Sequence, residues 1–334
     1  MRAFCGLVAS LLAIIAIASG EAPAELPHRL VHQFPVGTWI ENLAVRANGN
    51  LLLTTLFPNA SLYEVARPES NSPAVKLLFT IDSVTSLLGI AEVFPDKFAF
   101  LGGNVNPTTG GIKGTWGVWT ADFSRDPSPK PNLAVSLPDA SLPNGLTFVP
   151  GLRDVALAAD STNGLVYRAN VQTGKAEVSQ DYPEMKPASG GPGISIGING
   201  LHIHKGYLYF SNSATHTLFK IKVNVDGTTA PGAKVETVHV FDSTFLDDFA
   251  FGPEIADTAW LINNQNSVVT LEPNGYARLV AGGPGSATVP TDTACEFGRG
   301  LSPLMLYVAT AGDSSQGGKI EAIDTSKYFE QSKF

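Results

Sequence analysis

Cysteine is nearly absent from this chain, and the scarcity is informative. Of two in 334 residues, Cys5 falls inside the apolar N-terminal run and Cys295 stands alone in the remainder, so a processed chain has no partner for an intramolecular disulfide. Cys295 sits in a strand-like alternation and reads as a small buried hydrophobe rather than a reactive thiol. Charge is sparse as well. Only 16% of residues are charged, the net charge is -8, and no basic run occurs, which argues against nucleic acid and anionic membrane surfaces as partners. Long apolar runs are missing after the first twenty residues. The one early run, Leu7 to Ala18, follows Arg2 and ends in Ala16, Ala18, Ser19 and Gly20. It is too short to span a bilayer and has the layout of a secretory signal peptide, residues 1–20. Residues 21–334 are then expected to be one soluble, secreted domain without linkers or low-complexity tails.

What fills that domain is a repeat. The phrase Asn199-Gly200-Leu201-His202-Ile203-His204, a Lys205-Gly206 turn, Tyr207-Leu208-Tyr209-Phe210-Ser211-Asn212, then Leu218-Phe219-Lys220-Ile221 is three short strands joined by turns. Related phrases begin at Glu41, Gly89, Asn144, Asp247 and Thr293, so the copies start at 41, 89, 144, 199, 247 and 293, at intervals of 48, 55, 55, 48 and 46. Strand repeats near fifty residues are the mark of propeller blades, and six of them close a ring with few free sheet edges. The expected fold is therefore all-β, a six-bladed β-propeller of four-stranded antiparallel blades around a central channel, with a β-sandwich as the competing architecture. Fourth, outer strands are expected at Lys76–Ile81, Ala134–Leu137, Val235–Phe241 and Ala277–Ala281, and the segment from Glu21 to Val36 is expected to complete the last blade or pack across the ring. The Gly- and Thr-rich stretch Asn104–Gly117 and the Pro- and Gly-rich stretch Pro187–Gly197 are either pocket walls or disordered surface loops.

In a propeller the first strand of each blade lines the channel, so the repeat starts converge. Here they are Glu41, Gly89, Asn144, Asn199, Asp247 and Thr293, with Asn42 and Asp248 beside them. Carboxylates and carboxamides meeting there suit a hard cation such as calcium, or general acid and base work, since crowding carboxylates raises one pKa. The plainer reading of each is turn chemistry, in which Asn and Asp abound. Aromatic residues Trp39, Trp116, Trp119 and Tyr209 are candidate channel-side walls, with blade packing as the plainer reading.

Other motifs carry less. Gly193-Ile194-Ser195-Ile196-Gly197 matches a nucleophile pattern but is followed by a strand where a helix is required. His202 and His204 share a strand face; His202 is near enough to Asn199 to face the channel, while a metal site would need a third ligand. Asp160-Ser161 and Asn263-Asn264 end second strands and read as turn-makers. Ala281–Gly285 precedes no helix and is no phosphate cradle. Asn59-Ala60-Ser61 is a possible N-glycosylation acceptor, hence the expectation of a glycoprotein.

The blade phrases, with Glu41 on the first inner strand and Asn144-Gly145-Leu146 paired with Asp160-Ser161, resemble the senescence-marker-protein and gluconolactonase superfamily of six-bladed propellers. That resemblance implies a divalent cation held by Glu41, Asn144, Asn199 and Asp247 and a lactone or ester hydrolase activity. The opening Phe34-Pro35-Val36-Gly37-Thr38-Trp39-Ile40-Glu41-Asn42-Leu43-Ala44-Val45, followed by Gly49-Asn50-Leu51-Leu52-Leu53-Thr54-Thr55, is similar to secreted fungal propellers, among them the hetero-Diels-Alderases of tropolone-sesquiterpenoid pathways. This implies dehydration of a hydroxymethyl tropolone to a quinone methide and its capture by a humulene-type alkene.

Three functions follow as expectations. The leading one is a secondary-metabolite cyclase without a cofactor, acting on small apolar metabolites. Glu41, Asp247 and His202 would serve catalysis; Trp39, Asn42, Asn144, Asn199, Trp116, Trp119 and Tyr209 would hold substrate. The second is a calcium-dependent lactonase, and the third a binding propeller without catalysis.

Overall fold

A computed structural model describes residues 25–188, 194–253, 257–263 and 265–331. Residues 1–20, the expected signal peptide, lie outside the described residues. Among the described residues are six four-stranded antiparallel sheets and one two-stranded ribbon, and no helix is long and apolar enough to cross a membrane.

Each sheet is a blade, and in the first five the strands run in chain order from the axis outward. The inner strands are Trp39–Val45, Ser86–Phe94, Pro143–Phe148, Ile198–His204, Leu246–Phe251 and Asp292–Phe297. Second strands such as Leu51–Phe57 and Val155–Asp160 are buried almost throughout, because both faces of a blade pack on neighbours; apolar runs therefore replace the alternation of a half-exposed sheet. Six hydrophobic clusters each bridge two successive blades. The ring is closed by the N-terminal segment: His28–Gln33 pairs antiparallel with the third strand of the last blade, Lys319–Asp324, and becomes its outer edge. First and last parts of the chain thus share one sheet, and no sheet edge gapes at the seam.

The four anticipated outer strands are present at Ala74–Thr80, Asn132–Ser136, Glu236–Val240 and Ala277–Gly282. The third blade has one that the pattern did not reveal, Lys175–Gln180, four of whose six residues are exposed. The stretch Asn104–Gly117 is ordered. Val105–Asn106 pairs with Gly110–Gly111, the Asn106 carboxamide oxygen accepts the N–H groups of Thr108 and Thr109, and Gly110 rests on Ile194 of the other long loop.

Five inner strands carry a register slip at the same place, and the first blade has its own version there. In the second to fifth blades two residues are skipped by the ladder: Leu88-Gly89, Asn144-Gly145, Asn199-Gly200 and Asp247-Asp248. Such bulges re-aim side chains. They also correct the alignment of the second repeat, because Gly89 matches Gly145 and Gly200, and the residue equivalent to Asn144 is Leu88. Glycine is required at those three sites by close approach of the next inner strand. A Cβ at Gly89 would lie 2.4 Å from the Asn144 carbonyl oxygen, one at Gly145 2.3 Å from that of Asn199, and one at Gly200 2.7 Å from Asp248 Cα.

Candidate active site

The six bulges deliver Glu41, Leu88, Asn144, Asn199, Asp247 and Thr293 to the hub. Hydrogen bonds then tie them across blades. Asn42 Nδ2 donates to Asp248 Oδ2 at 2.9 Å, linking the first blade to the fifth. Asn199 Nδ2 donates to Asp247 Oδ1 at 2.8 Å and to Ser213 Oγ at 3.0 Å, and Thr293 Oγ1 donates to the Ile40 carbonyl at 2.8 Å. Asp248 Oδ1 also accepts the Phe249 N–H at 2.8 Å and faces His202 Nε2 at 3.3 Å. Asp248 is the residue that joins the hub to His202, which lines a small axial cavity with Glu296, Glu92 and Arg299.

Trp39, two residues before Glu41 on the same strand face, donates its indole N–H to Glu41 Oε2 at 2.6 Å. Burial pushes the Glu41 carboxyl up; the Trp39 bond pulls it back in part and the Asp248 charge raises it further, to about 7. Asp247 is driven well above the carboxylate range by burial and then by the charges of Glu41, Asp248 and Asp292. Burial does the same to Asp292, at the head of the sixth inner strand. For His202, burial works against the imidazolium, but the bond to Asp248 together with the charges of Asp248 and Glu296 outweighs it and the pKa rises. The hub is thus a set of crowded acids whose carboxyl groups are pushed up by burial and mutual repulsion, held by amides.

Its flank is apolar. Trp39 meets Phe57 edge-to-face, ring centroids 6.2 Å apart, and both lie with Val105 against the buried cluster containing Leu56, Leu88 and Leu142. The Asn144 side chain has no hydrogen-bond partner among the described residues although only 8% of the residue is exposed. It is a polar group available to a ligand beside an apolar wall.

The other anticipated aromatics lie elsewhere. Trp116 is 2% exposed and packs in the cluster between the second and third blades, where its ring faces Gly103 and Gly111. Trp119 lies on a third strand against Gly102 and the cluster between the first and second blades. Tyr209 belongs to a groove between the fourth and fifth blades, beside His204 and Phe251. Trp119 and Tyr209 sit on a third and a second strand, away from the axis, whereas Trp116 precedes its strand and shares the buried cluster of Leu88 and Leu142. Asp160 is a turn-maker, its Oδ1 accepting the N–H groups of Leu142, Thr162 and Asn163. Asn263 ends a second strand, while Asn264 lies outside the described residues. Ser195 lies in coil with its hydroxyl donating to the Ala188 carbonyl at 2.8 Å; Gly193 of that motif is outside the described residues. Cys295 is buried and its Sγ faces the Trp260 carbonyl at 3.3 Å.

Asp248, Asp292 and Leu88 are hub residues that reasoning from the repeat starts underweighted or passed over. The glycine match of 89 with 145 and 200 is the signal that locates Leu88. Among the described residues no group of three or more His, Cys, Asp or Glu side chains is disposed to hold a metal ion; Asn42 and Asn199 donate their amide N–H groups to the carboxylates of Asp248 and Asp247.

A closed ring of six blades with an acid-and-amide hub beside an apolar wall defines a propeller built around one polar axial site. No family model matches the sequence, but curated relatives do. The proposed hetero-Diels-Alderase asR5 of Sarocladium schorii is 30% identical, the match covering 92% of this chain and 86% of that protein. A proposed hetero-Diels-Alderase of a Phoma species is also 30% identical, over 84% and 85%. The chain belongs to the hetero-Diels-Alderase family. Among solved structures, the calcium-binding protein regucalcin of Agrobacterium tumefaciens is 14% identical with a TM-score of 0.62, covering 89% of this chain and 93% of its own. A proposed gluconolactonase is 16% identical with a TM-score of 0.60, over 90% and 93%. At such identities the likeness is one of fold.

Proposed function

We propose that this protein performs a hetero-Diels–Alder cycloaddition at the hub, joining a tropolone quinone methide to a humulene-type sesquiterpene alkene. The observation that carries the reading is the neighbourhood of Glu41: a carboxyl whose pKa is raised to about 7, against the apolar wall of Trp39, Phe57 and Leu88, on the same ring of inner strands as Asn144, whose carboxamide has no partner among the described residues, in a chain of this family.

The chemistry divides into two steps. In the first, Glu41 gives its proton to the hydroxyl of a hydroxymethyl tropolone; the carbon–oxygen bond breaks, water leaves, and the ring hydroxyl proton returns to the Glu41 carboxylate, leaving a neutral quinone methide. Asp248, with His202 behind it, holds negative charge near the developing cation. In the second step the oxygen and exocyclic carbon of the quinone methide add across the alkene, forming one C–O and one C–C bond with no proton transfer. An N–H donor on the tropolone oxygen, here Asn144, lowers the empty orbital of the heterodiene, and the apolar wall holds the alkene in register. Neither step calls for a redox cofactor. The same reading includes small apolar metabolites as partners and entry into the secretory pathway through residues 1–20. Asn59, exposed in the turn after Phe57, is the proposed glycan site.

Reconstitution tests this. The purified protein is incubated with a hydroxymethyl tropolone and humulene, with and without EDTA, and products are separated by chiral chromatography. The expected result is one enantiomer of the adduct at equal rate in both samples. A racemic product at the uncatalysed rate removes the cyclase reading, and loss of activity with EDTA that calcium restores would favour a lactonase-type metal centre.

A further inference from the structure

Three of the gaps between blades are closed near the ends of the inner strands, each in a different way. Between the first and second blades Arg46 bridges Glu64 and Asp96, each at 2.6 Å, with its guanidinium 4.3 Å from the Phe123 ring centroid. Between the third and fourth, the turn 224–229 folds across. Gly227 lies on Val149 and Leu157, Arg168 Nε donates to the Asp226 carbonyl at 2.8 Å, and Gln180 Nε2 donates to that of Gly227 at 2.7 Å. Between the fifth and sixth, the helix Ser326–Gln331 lays Tyr328 and Phe329 against Trp260, with ring centroids 4.9 and 5.9 Å away.

The gap between the fourth and fifth blades has an aromatic wall and, among the described residues, no such plug. It holds a cavity of about 320 Å³. His204 is stacked on Phe251 at 4.0 Å and 11°, Tyr209 meets Phe251 edge-on at 4.9 Å, and Tyr207 lies 6.4 Å from Tyr209. All four rings are half-buried rather than covered, and half-exposed rings gathered in one concavity keep a stacking surface available. On the opposite face of the same fifth blade, Trp260 presents such a surface and aromatic side chains of this chain occupy it. That is the precedent for the kind of occupant the open face takes.

We infer that this groove is a second ligand site, distinct from the hub, which takes a neutral planar hydroxyaromatic molecule. Neutrality follows from the rim, where charges already pair: His204 Nε2 meets Asp257 at 3.0 Å, Lys205 meets the same carboxylate, Lys220 meets Glu236 at 3.6 Å, and Glu272 accepts the Tyr328 hydroxyl at 3.1 Å. The hydroxyl preference follows from the two phenols, since neither Tyr207 nor Tyr209 has a hydrogen-bond partner among the described residues. A ligand hydroxyl or carbonyl supplies one. The site does not depend on what the hub does.

The test uses 2-naphthol as probe and decalin-2-ol, its saturated and non-planar counterpart, as control, with binding measured by calorimetry and contacts by intermolecular NOEs. The folded full chain is compared with Tyr209→Leu, Phe251→Leu and the hub variant Trp39→Leu, each checked by its melting temperature. The expected result is 2-naphthol binding with NOEs to the Tyr209 and Phe251 rings, about fivefold weaker in each groove variant, the worth of one aromatic contact, and retained in Trp39→Leu. Equal binding of decalin-2-ol, NOEs confined to Trp39, or loss of binding in Trp39→Leu alone would overturn the inference.

Discussion

Glu41 is where the physics of the hub is most concentrated, because its proton affinity is set by three opposing neighbours. Burial and Asp248 raise it, Trp39 lowers it, and the outcome is a pKa of about 7 against an ordinary value of 4.5. A carboxyl whose pKa is higher folded than unfolded binds more protons in the native state. Its stabilising contribution is therefore complete below 4.5 and is lost as pH rises toward about 7; Asp247, Asp292 and Glu296 are shifted in the same direction. The melting temperature should accordingly fall across that window, and calorimetry of Glu41→Gln should show a shallower fall. A slope identical in the two proteins would mean that Glu41 is not perturbed. Asn144→Ala removes a donor without disturbing a hydrogen bond, so its melting temperature should hold while the cycloaddition rate drops by about tenfold or more, within the range for removing one positioned donor. Part of this is legible in the sequence, since three of the repeat starts act on one another: Asn199 bonds Asp247 and the Glu41 charge acts on Asp247. Which side chains pair is not: that Asn42 pairs with Asp248 and Asn199 with Asp247 depends on distances between blades, which spacing along the chain does not encode.

At the scale of the strand, the recurring bulge is the device that turns six repeats into one site. Two residues outside the ladder let the first point to the axis while the second, glycine in three blades, admits the neighbouring strand. Gly200→Ala would put a methyl group 2.2 Å from Asp248 Oδ1, displacing the carboxylate that receives Asn42. The expected cost is about 2 kcal/mol of stability, typical of overpacking, with a larger loss of activity than the stability change explains; unfolding curves and rates measured side by side would separate the two. An unaltered variant would contradict the close approach of these strands. Register also explains what was misread. The second repeat starts at Leu88 rather than Gly89, because Gly89 takes the place of Gly145 and Gly200 in the ladder, and the outer strand Lys175–Gln180 escapes the pattern because it needs only one buried face. Trp119 and Tyr209, on a third and a second strand, show that strand order in the blade decides what reaches the axis.

For the whole molecule, closure is the decisive property. The edge strand His28–Gln33 sits on Lys319–Asp324, and His28 Nδ1 lies 2.8 Å from Glu321 Oε1 across nearly the full length of the chain. A chain starting at residue 34 would leave the third strand of the last blade as a bare edge, so it should melt at markedly lower temperature and aggregate on warming, as light scattering would report. Unchanged melting would show that closure contributes little. The repeat made the ring legible from sequence because each blade carries its own apolar pattern. Family and fold then point different ways: the propeller is shared with a calcium-binding protein and a proposed gluconolactonase, while the nearer sequence relatives are proposed hetero-Diels-Alderases. At the hub, Asn42 and Asn199 donate to acids whose carboxyl groups are pushed up by burial and by one another.

The most direct test of that account is the rate of adduct formation by Glu41→Gln, measured once from the hydroxymethyl tropolone and once from a quinone methide generated in place. The account predicts a loss of about a hundredfold or more from the alcohol, the usual worth of a general acid, and a rate close to that of the unaltered protein from the quinone methide. Equal losses from both starting materials, or no loss from either, would contradict it.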